Sequence, residues 1–143
     1  MKARIKLLTD TARVPTYATD GSAAFDIYAD MSINIDSDDL EIISTGIAVE
    51  VPDGHVLLIH SRSGHGFRYG LRLSNCTGVI DSDYRGEIKV AMTLDMPDGY
   101  VCIERGDRIA QGMIVPVERV EFELTDELSE TVRGNNGLGS TGK

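Results

Sequence analysis

The sequence predicts an all-β fold, and three observations carry that expectation. Glycine is frequent and scattered, 15 of 143 residues. Between the glycines lie short runs rich in Val and Ile. Turn residues separate those runs at roughly ten-residue spacing, the pattern of a sandwich, barrel or jelly roll. A chain of 143 residues suits one domain. With 41% hydrophobic and 26% charged residues, it can bury a core and lacks a disordered composition.

Taken in order, the first run, ARIKLL (3–8), alternates and places Ala3, Ile5 and Leu7 on one face. IAVEV (47–51), HVLLIH (55–60), GEIKVAM (86–92), YVCI (100–103) and RIAQGMIVPV (108–117) read as further strands. Pro52-Asp53-Gly54, Asp81-Ser82-Asp83 and Pro97-Asp98-Gly99 read as turns, because Asp side chains bond local backbone and Gly supplies the freedom a turn requires. One short helix is expected near 63–69, after Ser63. There is no internal repeat. From Arg133 the chain runs RGNNGLGSTGK, which by composition alone is a loose terminus.

Acidic side chains number 23 and basic ones 14, for a net charge of -9. That argues against direct nucleic-acid or anionic-membrane binding, which needs a positive surface. A small anion in a locally positive pocket stays compatible. The deficit is uneven. Residues 61–92 and 133–143 each carry +2, while 36–60 and 93–132 carry -6 and -7. No apolar run reaches the 18 or so residues of a spanning helix. The start, MKARIKLLTD, lacks a cleavage pattern, so no secretory signal is expected. Cys76 and Cys102 are then expected as reduced thiols in the cytoplasm.

Few constellations carry chemistry. His55, His60 and His65 are five apart, which fits neither a strand face nor a helix face, so zinc is not expected. No G-x-S-x-G elbow is present. Ser61-Arg62-Ser63-Gly64 combines a guanidinium fork, hydroxyls and a glycine amide ahead of a helix start, a set suited to phosphate oxygens. The same residues suit an ordinary helix cap. Arg133, the tail glycines, Ser140 and Thr141 form a second such set. Gly78 to Ile88 reads as a β-hairpin with an acidic turn. Asp81 there is either a turn former or a carboxylate able to take a proton from water, with Tyr84 three residues on. The residues alone leave both pairs of readings open.

Five segments in register resolve the choice. They are Ala23-Ala24-Phe25-Asp26-Ile27-Tyr28-Ala29, Arg62-Ser63-Gly64 running to Gly70, Asn75 to Ile88 (NCTGVIDSDYRGEI), Arg105 to Gln111 (RGDRIAQ) and Arg133 to Gly142 (RGNNGLGSTG). Together they resemble the five motifs of the trimeric dUTP pyrophosphatase (dUTPase) family and span nearly the whole chain.

The resemblance implies a distorted jelly roll of the β-clip, dUTPase-like type, with residues 1–132 as the β domain and 133–143 as a flexible C-terminal arm. It implies hydrolysis of dUTP to dUMP and pyrophosphate, limiting uracil in DNA and supplying dUMP for dTMP synthesis. A homotrimer with active sites shared between chains is implied too. By motif, Asp81 is the general base on the water that attacks the α-phosphorus, and Asp26 holds Mg²⁺ through water. Arg62, Ser63, Gly64 and Gln111 grip phosphates. Asn75 and the backbone of Gly78, Val79 and Ile80 read uracil, and Tyr84 packs under the deoxyribose. The arm closes with Arg133 on the γ-phosphate, Ser140 and Thr141 on other oxygens, and Leu138 and Gly139 over the base.

The chain departs from the motifs where Leu138 replaces a stacking aromatic, Asn136 a frequent Gly, and His65-Gly66 a usual Leu-Ala. The sister dCTP deaminases resemble the chain less, having a second Ser where Gly64 stands and a Glu where Ala91 stands. A non-catalytic nucleotide-binding protein on the same fold is the other alternative.

Overall fold

Turn chemistry punctuates the chain much as the sequence suggests. The computed structural model describes residues 1–37 and 39–137, and among them are eleven strands and one short helix. The strands are β1 (Arg4–Leu7), β2 (Phe25–Tyr28), β3 (Ile33–Asp36), β4 (Leu40–Ser44), β5 (Ile47–Glu50), β6 (His55–Ser61), β7 (Leu71–Leu73), β8 (Thr77–Ile80), β9 (Lys89–Leu94), β10 (Tyr100–Ile103) and β11 (Arg108–Pro116). Helix α1 (Ser63–Tyr69) lies between β6 and β7. The fold is the expected distorted jelly roll. Its strands form a four-stranded sheet in the order β2-β11-β6-β8, a three-stranded sheet β4-β9-β7, and the pairs β1-β5 and β10-β3. All pairings are antiparallel.

One core joins these sheets. Ile27, Leu57 and Ile59 enter it from the four-stranded sheet, Ile43, Leu71 and Met92 from the three-stranded one, and Ile35 and Ile47 from the pairs. Strand alternation sets which side chains go inward. On β6, Leu57 and Ile59 are buried, while Leu58 and His60 point to the opposite face. That outer face carries two cross-strand rows, Gln111–His60–Thr77 and Met113–Leu58–Val79. The second row is apolar, and Val79 is 61% exposed.

Ala3, Ile5 and Leu7 alternate as read, on a strand that is exposed throughout within this chain. One expectation is corrected. The acidic turn at 81–83 does not close a β-hairpin. β8 pairs with β6, whereas β9 pairs with β4 and β7, so residues 81–88 cross between two sheets. The crossing is pinned at its far end, where Ile88 N–H donates to Ile47 O at 2.9 Å and Thr45 Oγ1 to Ile88 O at 2.5 Å. A hairpin pattern in sequence specifies a turn and two strands, and the pairing partner is a tertiary choice.

Candidate active site

A cleft of about 430 Å³ opens at one end of the outer face, lined by Asp26, Arg62, Ser63, Gly64, Arg108 and Gln111 among others. Asp26 stands on β2 opposite Gln111 of β11. Asp26 is buried, and its carboxylate holds two guanidiniums, with Oδ1 accepting from Arg62 Nε at 3.0 Å and Oδ2 from Arg108 Nη1 at 3.2 Å. Arg62 also donates Nη1 to Arg108 O, and Gln111 Nε2 to Ser61 O. Buried charges require pairing of this kind.

Local sequence explains the convergence. The register between β11 and β2 slips between Arg108 and Ala110. Ile109, fully buried, is the extra residue of a β-bulge. Without it, Arg108 and Gln111, three apart, would lie on opposite faces; the bulge puts both on the face of Asp26. Sequence reasoning placed Arg108 within a motif but gave it no role. The bulge that aims it leaves no signal in the hydrophobic pattern.

The cap reading of Ser63 is not what forms. Arg62 occupies the N-cap position without a side-chain cap bond, and Ser63 is the first helical residue. Among the described residues its hydroxyl makes no hydrogen bond. The earliest helical amides to bond back are those of His65 and Gly66, both to Arg62 O, which leaves the Ser63 and Gly64 amides without intrahelical acceptors. Behind them the half-buried His65 is held below the usual imidazole range by burial first and the Arg62 charge second.

The residues expected on the uracil side gather elsewhere. β8 is an edge strand, so the backbone of Gly78, Val79 and Ile80 is paired on one side only among the described residues. An edge of this kind is a row of donors and acceptors able to read a planar base. Gly78 is pressed on Ile59, whose Cβ lies 3.2 Å from where a Gly78 Cβ would stand. Asn75 Nδ2 donates to Thr77 O at 3.3 Å, fixing the turn into β8. Asp81 is exposed just past β8, and its carbonyl accepts from Tyr84 N at 3.2 Å. A wide groove of about 880 Å³ runs past Asp81, Ser82 and Asp83 to Asp53 and Arg119.

One chain does not bring these two halves together. Ile80 pairs with Leu57, so Asp81 emerges level with Val56, near the start of β6. Ser63 lies beyond the other end of β6. Seven residues of extended chain separate those levels, roughly 20 Å at about 3.3 Å per residue. In the tail, Arg133 donates Nε to Asn136 O at 3.1 Å within a local turn. Leu138, Gly139, Ser140 and Thr141 lie outside the described residues.

Among the described residues no three His, Cys, Asp or Glu side chains stand close enough to hold a metal ion. Asp26 is therefore the carboxylate to test for Mg²⁺. Each of its oxygens accepts one guanidinium and keeps a lone pair for water. That donor set fits an ion held through water, since Mg²⁺ retains waters and draws its other oxygens from phosphates.

The sequence profile of the dUTPase family matches residues 10–142. The chain is 48% identical over 130 residues to the deoxyuridine 5'-triphosphate nucleotidohydrolase of Corynebacterium glutamicum, covering 91% of this chain and 87% of that one. It is 41% identical over 143 residues to the Nautilia profundicola protein of the same name, covering 100% of both. Among solved structures it is similar to a mutant dUTPase of Staphylococcus bacteriophage 80alpha with dUpNHpp, with a TM-score of 0.93, 29% identity and 99% of each chain covered. A mutant dUTPase from phage phi11 of S. aureus, described as revealing the coordination of a structural Mg(II) ion, aligns with a TM-score of 0.80 and 26% identity, covering 89% of this chain and 98% of that one.

Proposed function

The chain belongs to the dUTPase family, and we propose that its phosphate cleft and its Asp81 crossover are two halves of one dUTP-hydrolysing site, completed between chains. The protein converts dUTP and water to dUMP and pyrophosphate. The observation that carries the shared-site reading is the separation within one chain of Ser63 from Asp81.

Asp81 accepts a proton from water as the water oxygen attacks the α-phosphorus. The bond from that phosphorus to the α,β-bridging oxygen breaks, and pyrophosphate leaves with the electron pair. A carboxylate within reach of the attacking water suits this role. The Ser63 hydroxyl, the Ser63 and Gly64 amides and Gln111 bind phosphate oxygens, and Arg62 and Arg108 supply the positive field. Asp26 fits Mg²⁺ bound through water; when bound, the ion offsets charge on the triphosphate. The β8 edge reads uracil through its unpaired backbone groups. Tyr84 lies under the deoxyribose.

Two features support a homotrimer. The Met113–Leu58–Val79 row lacks a cover among the described residues. Residues 120–124 alternate Val120, Phe122 and Leu124, all strongly exposed, with Glu121 and Glu123, a strand pattern without a partner among the described residues. A neighbour's apolar groove around Ile5, Val14, Tyr17, Phe25 and Ile114 suits such a strand. Residues 133–143 act as an arm that closes over the nucleotide, carrying Arg133, Leu138, Gly139, Ser140 and Thr141. The exposed thiols of Cys76 and Cys102 suit the reducing cytoplasm. Ala91 supplies no carboxylate for the deaminase chemistry of the sister class.

Pyrophosphate release from each deoxynucleoside triphosphate, with and without Mg²⁺, tests this reading. Turnover of dUTP alone, stimulated by Mg²⁺, is expected. Asp81→Asn is expected to lower kcat by about 10²–10⁴-fold, the range for loss of a general base, with dUTP binding retained. Near-normal turnover by that variant would refute the assignment.

A further inference from the structure

Tyr84 rests on a glycine. Its hydroxyl donates to Glu87 O at 3.0 Å, which lays the ring across Gly86. A Cβ built on Gly86 would stand 2.4 Å from Oη, 2.7 Å from Cζ and 3.1 Å from Cε2 of that ring. Gly86 is not at a positive φ, so the backbone angle does not call for glycine there. The reason for glycine is the ring alone.

The floor beneath the ring is tied down on every side. Arg85 donates Nη1 to Ser82 O at 2.6 Å and to Tyr84 O at 2.9 Å, closing the turn on itself. Glu87 Oε1 accepts from Gly46 N at 3.0 Å, and Oε2 lies 3.7 Å from Lys89 Nζ. Ile88, next along, is buried and bonded through both backbone groups. Tyr84 itself remains 44% exposed, with one side on this floor. A side chain at 86 cannot be absorbed by moving the floor, so the ring must move.

We propose that Gly86 is a positioning residue for substrate specificity: by having no side chain it sets how far Tyr84 stands from the sugar, and so how strictly a 2′-hydroxyl is refused. The inference rests on the reading that Tyr84 packs under the deoxyribose. Clearing a Cβ from 2.4 Å to ordinary contact displaces the ring by about 1 Å, enough to spoil a tight steric filter. Asp81 is touched little, because its link to Tyr84 runs through the backbone.

The test is a double-mutant cycle of Gly86→Ala and Tyr84→Ala, read as kcat and KM for dUTP and UTP, with Tm for each variant. Gly86→Ala is expected to raise KM for dUTP about tenfold, leave kcat within a factor of about two, and lower the dUTP/UTP preference in kcat/KM about tenfold. In the Tyr84→Ala background the same change is expected to alter nothing, because the colliding ring is gone. If Gly86→Ala alone fails to fold, Tyr84→Ala is expected to rescue it. An equal loss in both backgrounds, a double variant that also fails to fold, or a single Gly86→Ala with unchanged KM and preference would overturn the proposal. A Tyr84→Ala enzyme that still refuses UTP would overturn the sugar-packing reading and the proposal with it. Relaxed refusal by Tyr84→Ala beside an unaffected Gly86→Ala would overturn the proposal alone.

Discussion

His65 sits one residue past Gly64 on α1, with its ring centroid 6.3 Å from that of Tyr69 and its Nδ1 buried without a hydrogen-bond partner among the described residues. Burial, then Arg62, holds its pKa below the ordinary imidazole value, with Arg108 acting in the same sense and Asp107 opposing. The sign follows from linkage. Below the unfolded pKa of about 6.5 the unfolded chain takes up a proton that the native ring resists, so stability falls as pH falls through that window. Above it the contribution is complete. Urea titrations at pH 7.5 and pH 5 are therefore expected to show a smaller stability loss for His65→Leu than for the wild type. An equal loss in both would place the titrating group elsewhere. In the sequence this residue stands out as a departure from the motif, His65-Gly66 in place of Leu-Ala. Its burial could not be read, because a seven-residue helix offers too few turns to define a face. Arg108 shows the same limit in another form. Its charge is plain in the sequence, but its aim depends on the bulge at Ile109.

Most elements that position the site are legible as strands where their apolar runs are long. β6 and β11 run for seven and nine residues rich in Val, Ile and Leu, and both fall where the sequence places them. β2, β3, β4 and β7 are three to five residues long, too short for a period of two to stand out from noise. The crossover at 81–88 misleads for a different reason, since its local pattern is that of a hairpin and its partners come from distant chain. Gly46 shows how such distant partners meet. It has φ +66°, and a Cβ there would lie 2.6 Å from Asp30 Oδ2 and 2.7 Å from Ala12 Cβ. Its N–H donates to Glu87 and its carbonyl accepts from Leu8 N, so it joins β1, the Asp30 turn and the floor under Tyr84. Gly46→Ala is expected to cost about 2–4 kcal/mol, the sum of left-handed strain and overpacking. Guanidinium titration would register this as a lower midpoint at unchanged slope. Gly21→Ala, with open space and no positive φ, is the matched control and is expected to be neutral.

At the scale of the whole molecule, net charge and site chemistry agree only when the chain is viewed in parts. The +2 segments, 61–92 and 133–143, hold the cleft helix, the crossover and the C-terminal residues proposed as an arm, while the acidity lies in 36–60 and 93–132. A protein of charge -9 can thus present a positive face to a triphosphate, and Mg²⁺ lessens the ligand's own charge. The resemblance implies a site shared between chains, but the distance between Ser63 and Asp81 within one chain is not written in the motifs, because strand register is a property of pairing. That separation makes a quantitative prediction. Asp81→Asn chains keep the cleft, and Ser63→Ala chains keep the base. Each alone is expected to be nearly inactive. If the proposed trimer forms, chains co-refolded in equal amounts assort at random into it, and light scattering would read three 15.6 kDa chains. If each site takes its crossover from one chain and its cleft from another, about one site in four draws both intact halves. Pyrophosphate release from the mixture is then expected near a quarter of the wild-type rate. If each chain held a complete site, no mixture could exceed the activity of its separate variants. A rate no higher than theirs, from trimers shown to be mixed, would place the whole site within one chain.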